Sequence, residues 1–194
     1  MLQEITLICA SYIIGSIPTG LLLGKAFGVD IRSSGSGNIG ATNVYRTLGR
    51  KVGVMTLLGD CLKGLLPVLA ARWLGLPDIW ILAAGLAAFL GHVYTVFLRF
   101  KGGRGVATAL GVFLGVSPLA VLAALAVFAF VLWQWRYVSL ASISAAAAMP
   151  LLEAVIDRRP LLVMMTSMIA ALVIWKHREN IGRLRAGTEN RFRA

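Results

Sequence analysis

Residues 106–133 contain no Asp, Glu, Lys or Arg, and 79–97 form a second charge-free block. Predominantly apolar stretches of about 18 residues or more are transmembrane candidates. The whole chain is 58% hydrophobic, against roughly 45–50% for an ordinary soluble domain. A chain of this kind must satisfy its backbone inside the bilayer, and helices do so within one segment. The pattern therefore predicts an all-α, polytopic integral membrane protein. Helices are expected at about 4–24, 53–73, 78–98, 105–116, 118–134, 138–156 and 160–176, as one membrane domain over 1–194.

The basic residues orient it. Lys25, Arg32, Arg46, Arg50 and Lys51 lie in one polar segment, and Arg99, Lys101 and Arg104 in another. The tail carries Lys176, Arg178, Arg183, Arg185, Arg191 and Arg193. These fourteen of the 19 Lys and Arg residues are expected on the cytoplasmic side by the positive-inside rule. Glu4, Asp78 and Asp157 then fall outside with the N-terminus. Parity requires 105–134 to cross twice, broken at Ser117 and Pro118. Thirty residues give only about 45 Å of helix, so some passes are short or re-entrant. Seven transmembrane helices are expected, with the C-terminus inside. Arg158 and Arg159 are left outside, one of them offset by Asp157.

The net charge of +11 is mostly this topological signal, so it does not point to nucleic acid. Cys9 and Cys61 sit in apolar segments, where a free thiol behaves as a small hydrophobe. Glu4 stands where a secretory signal would be basic, and no cleavage is expected.

Three polar segments carry the chemistry, all expected on the cytoplasmic side. The first, SGSGNIGATNVYR (34–46), contains Gly35-x-Gly37-x-x-Gly40. This is not a dinucleotide fingerprint, because that needs a strand and a βαβ unit. Glycines still let backbone N–H groups approach an anion. Ser36, Asn38, Thr42 and Asn43 add hydrogen-bonding groups, and Arg46 a planar fork suited to phosphate. The second, KGGRGVAT (101–108), sets Gly102 and Gly103 between Lys101 and Arg104 and opens a helix, a place where phosphate binds. The third, HRENIGRLRAGTE (177–189), holds His177, Asn180 and Glu189. If the last helix continues, His177 and Asn180 share a face. Asp60 and Lys63, three apart, read as a structural ion pair within the membrane; His92 and Glu153 also lie at or near membrane depth.

Other chemistries lack their residues. There is no His-x4-Asp pair, no Gly-x-Ser-x-Gly elbow, no Walker A loop, and no Cys/His or carboxylate spacing for a metal. Neither a metal nor a cofactor is expected.

Taken together, these segments resemble the bacterial acyl-phosphate:glycerol-3-phosphate acyltransferases, the PlsY family. The resemblance runs nearly end to end. It includes Gly15-Ser16-Ile17-Pro18, Asp30-Ile31-Arg32, the three segments above, Asp60 with Lys63-Gly64, Gly91-His92 and Arg136-Tyr137-Val138-Ser139-Leu140. Arg104 replaces the family's usual Lys, and Thr95 a frequent Pro.

The resemblance implies transfer of a fatty acyl group from acyl phosphate to the 1-hydroxyl of glycerol 3-phosphate. The products are 1-acyl-glycerol 3-phosphate and phosphate, the first step of phospholipid synthesis, at the inner membrane. By position it implies roles for Ser36, Arg46, Asn180 and Glu189, and for Gly102 and Gly103 at the donor phosphate; His177, whose ring titrates near neutral pH, joins the catalytic set on its chemistry. Gly35, Gly37, Asn38, Thr42, Asn43, Lys101 and Arg104 join the substrate-binding set, with Ser142 as a further donor. Asp60, Lys63 and Glu189 are structural. The base is His177 or the acceptor's own phosphate. The partners are the two substrates and the bilayer, with no obligate protein partner evident. The competing class, a transporter of an organic phosphate, predicts a polar path through both leaflets instead.

Overall fold

The computed structural model describes residues 1–192; Arg193, counted in the basic tail, lies outside them. The described residues form ten α-helices and no strand. Their packing falls into two compact units, Met1–Val116 and the residues from Ser117 onward.

The first unit opens with α1 (Leu2–Ser16) and α2 (Thr19–Ala26), bent by 40° at the break. The single helix expected at 4–24 is therefore two. Pro18 is the cause, since it offers no N–H and disfavours helix in the residue before it. A short helix, α3 (Ala41–Leu48), follows the first glycine segment, then α4 (Arg50–Trp73) and α5 (Asp78–Val93). A 3-10 turn (Val96–Leu98) precedes the second glycine segment, and α6 (Val106–Val116) closes the unit.

The unit packs through small residues at backbone distance, as membrane helices do. A methyl added at Gly15 would overlap the Ala88 carbonyl, locking α1 to α5. One added at Gly111 would overlap the Cys61 carbonyl, locking α6 to α4. Thr95 sends its hydroxyl to the Ser16 carbonyl at 2.6 Å, a bond between α1 and the turn after α5 that proline could not make.

The second unit consists of α7 (Pro118–Trp135), α8 (Val138–Ile156), α9 (Pro160–Lys176) and α10 (Arg178–Arg185). Leu119, Leu122, Phe130 and Trp133 of α7 are exposed, the pattern of a lipid-facing helix. The Ser117 hydroxyl bonds the Asp157 carboxylate, joining the start of α7 to the end of α8. That bond holds the Asp157 carboxyl below its ordinary range. The Arg178 guanidinium lies 4.7 Å from the Trp175 ring centre, a cation–π pair of the kind found at membrane surfaces.

Four helical segments are long and apolar enough to cross a bilayer: Arg50–Trp73, Asp78–Leu98, Pro118–Trp135 and Val138–Ile156. The bent pairs α1–α2 and α9–α10 raise this to six. At eleven residues, α6 is only about 16 Å long.

Candidate active site

In the first unit the glycine segment before α3 is folded around one side chain. Asn43 is buried, and its Nδ2 donates to the carbonyls of Ile31 (3.0 Å), Ser34 (3.0 Å) and Asn38 (2.8 Å). Its Oδ1 accepts from the Ser36 N–H at 2.9 Å. An amide so engaged pins the segment, and its remaining capacity toward the substrate expected there is one lone pair on Oδ1. Gly35 has φ +59°, and a methyl there would overlap Asn43 Oδ1. The glycine is thus required by both conformation and space.

α3 then sorts its side chains by face. Val44 enters an apolar cluster with Leu21, Ile31, Ile39 and Val52. Thr42 and Arg46, four apart, share another face, with Arg46 exposed and Thr42 partly so. Ser36 is exposed beside the pinned loop. Upstream, Arg32 brackets Asp30 with a 2.7 Å ion pair and holds its carboxyl down at about 2.

The second glycine segment departs from expectation. Gly102 N–H donates to the Val93 carbonyl at 3.2 Å, and Gly103 N–H to the His92 carbonyl at 3.1 Å. These two N–H groups turn inward to α5, so they are not anion donors. Lys101 is exposed, Arg104 partly buried, and both precede α6. The first-turn N–H groups of that helix have no partner within it and suit an anion.

The second unit holds the third segment. His177 ends α9 and caps α10, and the two helices bend by 55° there. The uninterrupted helix that would put His177 and Asn180 on one face is therefore absent. Asn180 instead belongs to the first turn of α10, and both side chains are buried. His177 Nδ1 lies 2.7 Å from the Val173 carbonyl. A carbonyl only accepts, so Nδ1 carries a proton.

Glu189 gathers three donors. Asn180 Nδ2 (2.7 Å) and the Ser139 hydroxyl (2.8 Å) reach Oε1, and Arg183 Nε reaches Oε2 (2.6 Å). Burial works to raise the carboxyl's pKa, but the bonds from Asn180, Arg183 and Ser139 outweigh it and hold it below the ordinary value. The carboxylate can only accept, so it must face the amide nitrogen. Among the described residues, Asn180 Oδ1 is left buried without a hydrogen-bond partner. Ser139 and Arg183 had no assigned role in the sequence reading. Ser142, which did, spends its hydroxyl on the Val138 carbonyl of its own helix at 2.8 Å.

Asp60 and Lys63 form the expected buried pair at 2.8 Å. Among the described residues no cluster of His, Cys, Asp or Glu is placed to hold a metal.

A polytopic α-helical membrane protein with two glycine-shaped basic segments, and a buried His177 and a buried Asn180 in its second unit, has the features of an enzyme acting on phosphorylated substrates at a membrane. Known proteins give the particular family. The glycerol-3-phosphate acyltransferase family model matches residues 5–187. The chain is 73% identical to the glycerol-3-phosphate acyltransferase of Geotalea daltonii and 72% to that of Geobacter sulfurreducens, each over the full length of both chains. It superposes with TM-score 0.94 on the crystal structure of PlsY (YgiH), an integral membrane glycerol 3-phosphate acyltransferase, in its glycerol 3-phosphate form. Identity there is 45%, covering 98% of this chain and 96% of the other. The lysophosphatidic acid form gives 0.90 over the same shares. The chain belongs to the glycerol-3-phosphate acyltransferase family, and is a multi-pass membrane acyltransferase.

Proposed function

We propose that the protein acylates the 1-hydroxyl of glycerol 3-phosphate using acyl phosphate as donor, at the cytoplasmic face of the inner membrane. The glycerol 3-phosphate and lysophosphatidic acid forms of the solved relatives support the acceptor and the product class. The placement of basic residues supports the cytoplasmic face, with the N-terminus outside and α6 as a short seventh crossing.

Acyl phosphate is a mixed anhydride and needs no further activation. The hydroxyl oxygen attacks the acyl carbon, the bond from that carbon to the phosphate oxygen breaks, and phosphate leaves. Lys101, Arg104 and the start of α6 offset the leaving charge. Ser36, Thr42 and Arg46 hold the acceptor's phosphate, Arg46 through its fork.

The observation that carries the reading is the buried Oδ1 of Asn180, unpartnered among the described residues and held in place by Glu189. An acceptor aimed away from its anchor, with His177 at the bend just before it in the chain, suits a substrate hydroxyl. The proton passes to the phosphate of glycerol 3-phosphate, whose second pKa is about 6 by analogy with phosphoserine. The His177 ring is tied at Nδ1 to a neutral carbonyl, a weaker support for an imidazolium than the carboxylate of a catalytic triad. His177 therefore orients the hydroxyl.

Purified protein in detergent, given palmitoyl phosphate and glycerol 3-phosphate, should release phosphate and form lysophosphatidate in equal amounts, with EDTA present or absent. Equal rates with palmitoyl-CoA would overturn the donor assignment, and loss of turnover in EDTA restored by Mg²⁺ would overturn the metal-free mechanism.

A further inference from the structure

Beneath the second glycine segment lies a buried polar network. Asp60, Lys63 and His92 are 2%, 5% and 3% exposed. Lys63 Nζ reaches Asp60 Oδ1 and the Ile17 carbonyl, each at 2.8 Å. His92 Nδ1 stands 3.7 Å from the same Asp60 oxygen. The network thus joins the bend between α1 and α2, the middle of α4 and the end of α5.

Charged groups at membrane depth are costly, and a well-packed apolar trio would often be as stable or more so. Packing alone does not account for them. The other edge of His92 suggests their use. Its carbonyl accepts the Gly103 N–H at 3.1 Å. A methyl at Gly102 would overlap that carbonyl, and one at Gly103 would overlap Nε2 and come within 2.9 Å of Cε1. The imidazole is held between the Asp60 carboxylate and the backbone of Gly103, with no room for a β-carbon.

We propose that His92 is a positioning residue: it is the seat on which the Lys101–Arg104 segment rests, and Asp60 with Lys63 fixes that seat. The proposal rests on the reading that this segment holds the donor's phosphate. A shift of the ring moves the segment and the start of α6 together, which changes donor binding and leaves acceptor binding alone.

The test compares full-length His92→Gln, Gly102→Ala, Gly103→Ala and His92→Gln/Gly103→Ala, with KM for palmitoyl phosphate and for glycerol 3-phosphate measured separately. His92→Gln should raise the donor KM by about tenfold or more, with the acceptor KM and the melting temperature near those of the parent. Gly103→Ala should do the same. The double variant should cost clearly less than the product of the two single effects, because the methyl no longer meets a ring. His92→Asn, shorter again, repeats the coupling test if the Gln double variant does not survive purification. Multiplicative effects, equal changes in both KM values, or a loss of melting temperature alone would overturn the proposal. Gly102→Ala separates the two failures: if it leaves the donor KM unchanged, the donor-segment reading falls. Coupling between positions 92 and 103, read on whichever constant Gly103→Ala changes, then still decides whether His92 seats the segment.

Discussion

Asn180 Nδ2 donates to Glu189 Oε1 at 2.7 Å, while the oxygen of the same amide is buried with no hydrogen-bond partner among the described residues. One bond therefore fixes which atom of Asn180 faces away from Glu189. Glu189→Ala should lower kcat by way of Asn180. The lost charge-assisted bond is worth about 1.5–3 kcal/mol, or roughly 10–150-fold if all of it appears in the transition state. Asn180→Ala should be at least as severe, and the double variant should cost little more than Asn180→Ala alone. Additive losses would show that Glu189 does not act through Asn180.

Glu189 also predicts an acid limit. Its folded pKa is depressed, from an ordinary value near 4.5. Its contribution to stability is therefore complete above that ordinary value and disappears as pH falls through the lower folded value. The melting temperature in detergent should drop below about pH 4.5 through this group. Glu189→Gln should melt lower at neutral pH and lack that component of the acid drop. An unchanged acid profile in the Gln variant would assign the limit to other groups.

In the first segment, Arg46→Ala should raise the acceptor KM by roughly 10–150-fold, the value of a charge-assisted contact of about 1.5–3 kcal/mol. Arg46→Lys should recover only part of that, since an ammonium lacks the planar fork. Gly35→Ala should act differently. It strains a left-handed residue and displaces Asn43, so it should lower both stability and acceptor affinity. A Gly35→Ala variant with parental melting temperature would show that the pin is dispensable.

The apolar blocks made the all-helical membrane fold legible, because a charge-free run of bilayer length has few other uses. The two short helices α3 and α10 were hidden by their polarity. Each is eight residues long, and hydropathy reads such pieces as loops. Residue types located the chemistry, but partners needed the fold. Asn43 looks like a ligand until four backbone contacts are seen to engage all but one lone pair of its amide. Ser139 and Ser142 are three apart on α8, yet Ser139 reaches Glu189 while Ser142 bonds the Val138 carbonyl of its own helix. Gly102 and Gly103 suggested N–H groups facing an anion, whereas the close approach they permit is to His92. In each case the missing knowledge was which neighbour lay across the chain.

The last prediction concerns the proton. His177 Nδ1 is committed to the Val173 carbonyl, so any role of the ring toward the hydroxyl falls to Nε2. If Nε2 only orients the hydroxyl, a glutamine that presents its amide oxygen there can replace it, because an amide accepts a hydrogen bond without taking a proton at neutral pH. His177→Gln should then keep kcat within about tenfold of the parent, and the larger change should fall on the acceptor KM. His177→Ala should lose more, since the hydroxyl is left without its guide. If His177 were the base, Gln and Ala would be equally poor, each with kcat down by about 10²–10⁴-fold and both KM values nearly fixed. The pH profile gives a second readout. With the acceptor's phosphate as base, kcat/KM should fall on the acid side near pH 6 in parent and Gln variant alike. A limb that vanishes in His177→Gln would transfer the proton from the substrate's phosphate to the protein.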